Sequence, residues 1–399
     1  MSRDIIGRRA ARRTGLGVAL AGMLLIAATY GMARFGVGLF APLLAVQRPE
    51  LAEVLGWAAA AQFTSYSLAA LAAARFVDRA PRAGLLLAGA AAALGCLGVA
   101  AAGSPTMFVA AVFIGGMGGG FASPALVPVI DAAVPPRASA TAQSLVNSGT
   151  AAGVIGAGLV ASAATSVGPA WVLMGLLCAT TAVAAWYSAR ARADLGHSDR
   201  TGPERRSSRT PQPGPWRLLA IPSVAAVFAG TGSALIWTFG PLLLTDAESV
   251  ATEQAGWLWI ALGLGGLLGI FTGALVRHLG THGGWCSFAG ALALASAGVA
   301  VSLLTGSTWI AYASMAVFGA GYMGLSGVLI LWARNVWPGS AGAGTSMLFI
   351  ALATGQALGS AGFGLALGAV RPVVLAALAA ALLVLCGLAA LIRNRQPAT

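Results

Sequence analysis

Apolar runs of about twenty residues, each long enough to cross a bilayer as a helix, recur along the whole chain. Short stretches carrying arginine, proline and glycine separate them. Reading the runs against that punctuation predicts twelve helices. The first six fall near 17–44, 54–75, 84–103, 107–130, 140–163 and 169–188, and the second six near 217–244, 255–276, 284–304, 309–333, 342–366 and 372–392. The fold class is therefore an all-α polytopic membrane protein. Between the sixth and seventh runs, Ala189–Trp216 is polar, basic and broken by Pro211, Pro213 and Pro215, the composition of a flexible tether. This divides the chain into an N-terminal six-helix bundle (1–188), a linker (189–216) and a C-terminal six-helix bundle (217–399).

The two sets of six also match one another, as an internal repeat would. Phe40-Ala41-Pro42-Leu43-Leu44 returns 199 residues later as Phe239-Gly240-Pro241-Leu242-Leu243, and Gly56-Trp57 returns 200 residues later as Gly256-Trp257. The segment Ala74–Pro81 aligns with Gly273–Gly280 at an offset of 199, and Val134-Pro135 with Trp337-Pro338 at 203. So steady an offset predicts two parallel six-helix pseudo-repeats.

Composition agrees: 58% of the residues are hydrophobic and 9% charged, against about 25% charged in soluble domains. The net charge of +12 does not imply nucleic acid, because the basic residues form no single soluble patch. All 23 are arginine, and with the abundance of Ala and Gly this reads as the bias of a GC-rich genome. Twenty of the arginines fall in segments that alternate to one side of the predicted membrane, Arg48 and Arg371 fall on the other, and Arg34 lies within a span. The positive-inside rule then places both termini in the cytoplasm, as an even number of spans requires, and makes the linker cytoplasmic. Arg8-Arg9 and Arg12-Arg13 before the first run anchor that helix rather than form a twin-arginine signal, since the run is too long for a signal core and many spans follow. Cys96, Cys178, Cys286 and Cys386 stand singly in apolar runs, so neither disulfides nor metal clusters are expected.

Two parallel six-helix halves joined by a polar linker resemble the major facilitator superfamily of secondary transporters, and the resemblance covers essentially the whole chain. Its sharpest mark is the loop between helices 2 and 3, where the family pattern is Gly-x-x-x-Asp-Arg-x-Gly-Arg. Here Asp78, Arg79 and Arg82 match, while Ala74 and Pro81 replace the glycines; in the second copy Gly273 and Gly280 are kept and Arg277 replaces the aspartate. The resemblance implies that this loop latches the halves on the cytoplasmic side, with Asp78 capping a helix or pairing with arginine. Asp131 and Arg334, at matched ends of helices 4 and 10, are candidate partners in that gate. The alternative for all six is interfacial anchoring. Within helix 1, Arg34-Phe35-Gly36 followed by Pro42-Leu43-Leu44 is similar to a bacterial branch labelled YbfB/YjiJ-like.

Arg34 is the single charge inside an apolar span. A charge near the bilayer centre costs about 2.5–3.5 kcal/mol on insertion scales, so it faces a cavity or a partner. By the repeat it matches Ser233, about sixteen residues into a helix of roughly 28, which places it near mid-membrane. None of the eleven carboxylates falls at the middle of a span. An unpaired guanidinium invites a carboxylate or phosphate; the other reading is structural, with Arg34 bonded to backbone or polar groups of other helices. The resemblance implies that helices 1, 2, 4, 5, 7, 8, 10 and 11 line a central cavity. The polar and aromatic residues expected to bind substrate there beside Arg34 are Tyr30, Gln62, Tyr66, Asn147, Trp237, Trp259, Tyr322 and Gln356. Tyr30 and Arg34 are four apart, as are Gln62 and Tyr66, so each pair shares a helix face. Helix packing is the competing role for each member. Aromatic walls with few polar groups suit an amphipathic or aromatic solute. Gly149 and Gly153 in helix 5, like other glycine runs, allow close helix approach, while Pro124 and Pro128 should bend helix 4.

Proton coupling has only Asp131 and Asp246 as candidates, since His197, His278 and His282 all lie in connections; substrate exchange and facilitated diffusion are the alternatives. Enzyme motifs appear only as traps. Gly319–Gly324 fits G-x-G-x-x-G but lies inside an apolar helix, and His278 and His282 lack a third metal ligand. The expectation is a bacterial inner-membrane transporter, multi-pass and monomeric, with no cofactor, no metal and no nucleic-acid partner. It moves a small organic solute, anionic or aromatic, by alternating access in contact with membrane lipid, with a proton as candidate coupling ion. The alternatives are efflux of hydrophobic or cationic compounds, with Arg34 structural, and a non-transporting membrane sensor.

Overall fold

A computed structural model describes residues 15–77, 79–197, 216–338 and 341–389. The described chain is helical, and its long helices number twelve. α1 is Gly15–Arg34, α2 Leu55–Phe76, α3 Pro81–Ala101, α4 Pro105–Ala133, α5 Pro136–Ala163, α6 Val167–His197 and α7 Trp216–Asp246. α8 starts as Ala255–Gly266, tightens into the 3-10 turn Leu267–Phe271 and continues over 272–279; α9 is 281–305. α10 is Thr308–Val336, α11 Ala341–Ala366 and α12 Pro372–Ala389. Proline opens α3, α4, α5 and α12, where its missing N–H removes no intrahelical bond and its fixed φ suits the first turn. Ser104 adds a cap to α4, its Oγ accepting from the Met107 N–H at 3.3 Å.

The first run departs from a single helix over 17–44. Its last turns are wound as a π-helix, Ala27–Arg34, followed by the short helices Gly36–Leu39 and Ala41–Gln47. Pro42 lies in the first turn of the last piece. Its ring excludes the i−4 carbonyl and its nitrogen donates nothing, so the chain restarts there rather than running through. α6 extends beyond the predicted 188 to His197. α8 and α9 are separated at Gly280, whose φ of 74° and ψ of 171° belong to a region essentially reserved for glycine. Gly280→Ala should therefore cost about 1–3 kcal/mol, read as a lowered thermal midpoint of the purified protein.

The packing repeats with the sequence. In the first six helices α1 packs on α5, α2 on α4, and α3 on both α4 and α6; in the second six α7 packs on α11, α8 on α10, and α9 on both α10 and α12. The two sets meet along α5–α8 and α2–α11, and where the outer end of the first run lies on α7. Glycine permits these approaches: Gly56 of α2 lies on Gly364 of α11, where an added Cβ would stand 2.9 Å from the partner Cα, and Gly158 of α5 lies on Gly256 of α8, with a Cβ 2.6 Å from its carbonyl oxygen. All four residues belong to the face of the bundle opposite the one that carries most of the arginines. Toward the arginine-rich face, Leu71 on α2, Asn147 on α5 and Ile270 in the 3-10 turn of α8 are exposed. Arg48, on the opposite face, pairs with Glu50 at 2.8 Å and donates to the Ala102 carbonyl at the end of α3 at 2.7 Å. That guanidinium holds the Glu50 carboxyl below its usual range.

Candidate functional site

The site is built on the π-wound end of α1. Three glycines bring α5 against it. A Cβ on Gly31 would stand 2.5 Å from the Gly153 Cα, and Cβ atoms on Gly149 and Gly153 would run into the backbone of Met23 and Ala27. The π turn ends at Arg34, which is 2% exposed. π turns of this kind are frequent at functional sites.

The Arg34 guanidinium lies among four rings of its own half. Its Cζ is 4.1 Å from the Tyr66 ring centroid, 4.3 Å from Tyr30, 5.1 Å from Phe63 and 5.3 Å from Phe35. Such contacts are worth about 0.5–2 kcal/mol apiece, yet they supply no counter-charge. Across the interface, Nη2 donates to Gln356 Oε1 on α11 at 3.3 Å, and Gln356 Nε2 donates to the Tyr322 hydroxyl on α10 at 3.0 Å. Arg34 Nε and Nη1 are buried with no hydrogen-bond partner among the described residues. Among those residues the one ion pair is Arg48–Glu50, so Arg34 has no carboxylate. The guanidinium cannot deprotonate, and the result is a permanent buried cation with two idle donors.

An aromatic wall from both halves continues the site. Phe35 stacks on Trp237 of α7 with centroids 3.8 Å apart, and Trp237 meets Tyr322 at 5.0 Å, Phe318 at 5.4 Å and Trp259 of α8 at 5.6 Å. Gln62 reaches the Ala33 carbonyl at 3.5 Å. Of the nine residues singled out from the sequence, eight thus gather in one cluster: Tyr30, Arg34, Gln62, Tyr66, Trp237, Trp259, Tyr322 and Gln356. Asn147 stands apart, exposed on α5 one turn toward the arginine-rich face from Ala151, whose methyl faces Gly266 of α8. Sequence reasoning did not single out Phe35, Phe63 and Phe318. The first adjoins Arg34 and the second adjoins Gln62 in the chain, a signal that was available; Phe318 is one turn from Tyr322, and only its ring contact distinguishes it from a packing residue.

Five of the six residues assigned to the gate lie at the arginine-rich face. Asp78 is outside the described residues. Arg79, Arg82, Asp131, Arg277 and Arg334 are exposed. Asp131 accepts from Ser139 Oγ in its own half, and Arg79 donates to the Arg75 carbonyl one turn back at 3.3 Å. None of these five makes an ion pair among the described residues, where the one pair is Arg48–Glu50.

Twelve long apolar helices in two repeated sets, with a buried polar cluster where the sets meet, define a polytopic membrane protein of the transporter class. The chain belongs to the Major Facilitator Superfamily, whose family model matches residues 23–360. It is a secondary transporter rather than an enzyme, and proteins of this family bind small-molecule substrates, often with proton coupling. No curated protein matches it in sequence. Among solved structures it is similar to the nucleoside transporter NupG, at 12% identity and a TM-score of 0.70 over 95% of this chain and 98% of that one. It is also similar to the xylose transporter XylE from E. coli. The partially occluded inward-open form gives 14% identity and a TM-score of 0.70 over 94% and 97% of the two chains; the inward-open form gives 15% and 0.69 over 96% of each. These likenesses establish the fold.

Proposed function

We propose that this transporter carries a small organic anion with an aromatic or amphipathic body, recognised through Arg34. The observation that carries the reading is the pair of idle donors: Arg34 Nε and Nη1 are buried without a partner in a cluster that holds no carboxylate among the described residues. A buried charge is tolerated when paired and hydrogen-bonded, and a monovalent substrate anion supplies the missing half. The wall of Phe35, Trp237, Phe318 and Tyr322 suits a ring on that anion. Tyr30, Gln62, Tyr66 and Trp259 complete the binding residues in this reading, Gln356 holds Arg34 from the other half, and Asn147 faces the route by which the solute arrives.

In the same reading the arginine-rich face is cytoplasmic in a bacterial inner membrane, with both termini on that side. The tight glycine contacts at the opposite face and the exposure of Leu71, Asn147 and Ile270 support taking this conformation as inward-facing. Halves spanning 1–188 and 217–399, tethered by 189–216, then rock about Arg34 within a single monomer. Closure of the cytoplasmic face brings the exposed Arg79, Arg82, Asp131, Arg277 and Arg334 into pairs across the halves. Asp131 and Asp246 are the candidates for a coupling proton.

The test is a thermal-stability screen of the purified protein against organic anions, cations and neutral amphiphiles, run beside Arg34→Gln. A ligand that binds only the folded state raises the unfolding midpoint by mass action. Anions are expected to stabilise the wild type and not Arg34→Gln, with liposome flux following the same order. Stabilisation of both forms by cations or amphiphiles alone would make the protein an exporter of such compounds and Arg34 a structural residue.

A further inference from the structure

The bond between Arg34 and Gln356 joins two halves that must move apart and together as the carrier works, and it is chemically incomplete. A neutral amide oxygen sits on Nη2 at 3.3 Å, while the nitrogens on either side of Nη2 in the guanidinium, Nε and Nη1, have no partner. A carboxylate in the position of Gln356 Oε1 would accept from Nη2 and one neighbouring nitrogen together, which is the forked geometry a guanidinium favours. Gln356 is fully buried and is held by its own donation to the Tyr322 hydroxyl, so its oxygen is kept aimed at Arg34. We infer that Gln356 is the placeholder for the substrate's carboxylate in the empty carrier.

The inference rests on the anion reading above and adds a mechanism to it. Substrate and Gln356 compete for one face of Arg34, so binding of the anion and release of α1 from α11 are one event. The empty carrier is held by the Gln356 bond, whereas the loaded carrier is held by the substrate between the halves. Gln356 therefore sets affinity by competition. Removing its side chain strengthens carboxylate binding, where removal of an ordinary ligand residue would weaken it. A carboxylate built into position 356 occupies Arg34 permanently.

The experiment uses the full-length protein in detergent, with benzoate as the probe, and compares wild type, Gln356→Ala, Gln356→Glu, Arg34→Gln and the double variant Gln356→Glu/Arg34→Gln. Benzoate is expected to bind Gln356→Ala about threefold or more tighter than wild type, the direction set by removing a competing state, and not to bind Gln356→Glu. Without benzoate, Gln356→Glu is expected to unfold at least about 5 °C above Gln356→Ala at neutral pH, the sign following from pairing a buried charge, and to lose that gain in the double variant. Weaker benzoate binding by Gln356→Ala, with Arg34→Gln still inactive, overturns the placeholder and leaves the anion reading standing. Equal binding by wild type and Arg34→Gln overturns both. Where wild type takes no benzoate, the Arg34-dependent stability gain of Gln356→Glu decides alone, and its absence overturns the inference.

Discussion

Gly153→Leu should cause the loss of most folded protein, and of transport in what remains. Gly153 lies in α5 against the α1 backbone, and even a single Cβ there would run into the Ala27 carbonyl. Overpacking a well-filled core costs about 1–3 kcal/mol. The leucine adds three further carbons against backbone, which cannot rotate away as a side chain can, so the effect belongs at or above the top of that range. The consequence also reaches beyond stability. Ala27 begins the π turn that ends at Arg34, so pushing α1 from α5 displaces the guanidinium from Tyr66 on α2 and Gln356 on α11. Gly153→Ala is the graded form, with a lowered midpoint and partial activity. Gly362→Ala on α11 is the control: nothing lies within 4 Å of its added Cβ, and alanine is the better helix former by about 1 kcal/mol. Thermal unfolding and reconstituted flux measured on the three variants test this ordering. A Gly153→Leu protein as stable and active as Gly362→Ala would remove α1–α5 packing from the account.

Arg34→Met should separate stability from function. Methionine keeps an unbranched apolar stem but ends short of the guanidinium that lies over Tyr30, Phe63 and Tyr66, and it removes a buried cation with two unsatisfied nitrogens. Replacing buried ionic groups by apolar ones of similar volume is often neutral or stabilising by about 1–4 kcal/mol. Gln356 loses an acceptor role and keeps its bond to Tyr322. The thermal midpoint is therefore expected to hold or rise by a few degrees, while anion transport falls about 100-fold or more, the scale set by losing a buried charged partner. Arg34→Lys keeps the charge without the fork and should recover only part of the activity. The structural reading of Arg34 expects the reverse for Arg34→Met, a clear drop in midpoint with transport reduced only in proportion. Unfolding curves and flux on the same preparations distinguish the two.

Much of this was legible along the chain because the bilayer imposes a length on every apolar run. Helix count, the repeat at an offset near 199 and the place of Arg34 in a span all follow from spacing and punctuation. Proline marks helix starts for a local steric reason, so the starts of α3 and α4 fall within a few residues of expectation. Where local rules compete, the reading is coarser. Pro42 breaks the first run, which apolar content alone does not reveal, and α6 continues to His197 because nothing in Arg190 or Arg192 ends a helix once it has left the membrane. The cluster residues were readable as polar or aromatic positions on lining helices, but Asn147 carries the same signal and lies apart.

The sequence by itself specified a twice-repeated helical chain with membrane-length apolar runs and one charge, Arg34, inside a predicted span. Those properties depend on hydropathy and spacing, which are local. Only the tertiary structure decided what surrounds the charge. The rings of Tyr30, Phe35, Phe63 and Tyr66 come from two helices of one half, and Gln356, Tyr322 and Trp237 come from three helices of the other. Arg34 and Gln356 are 322 residues apart in the chain. No periodicity specifies a contact of that range; it follows from how glycine-lined helices in different bundles pack against one another.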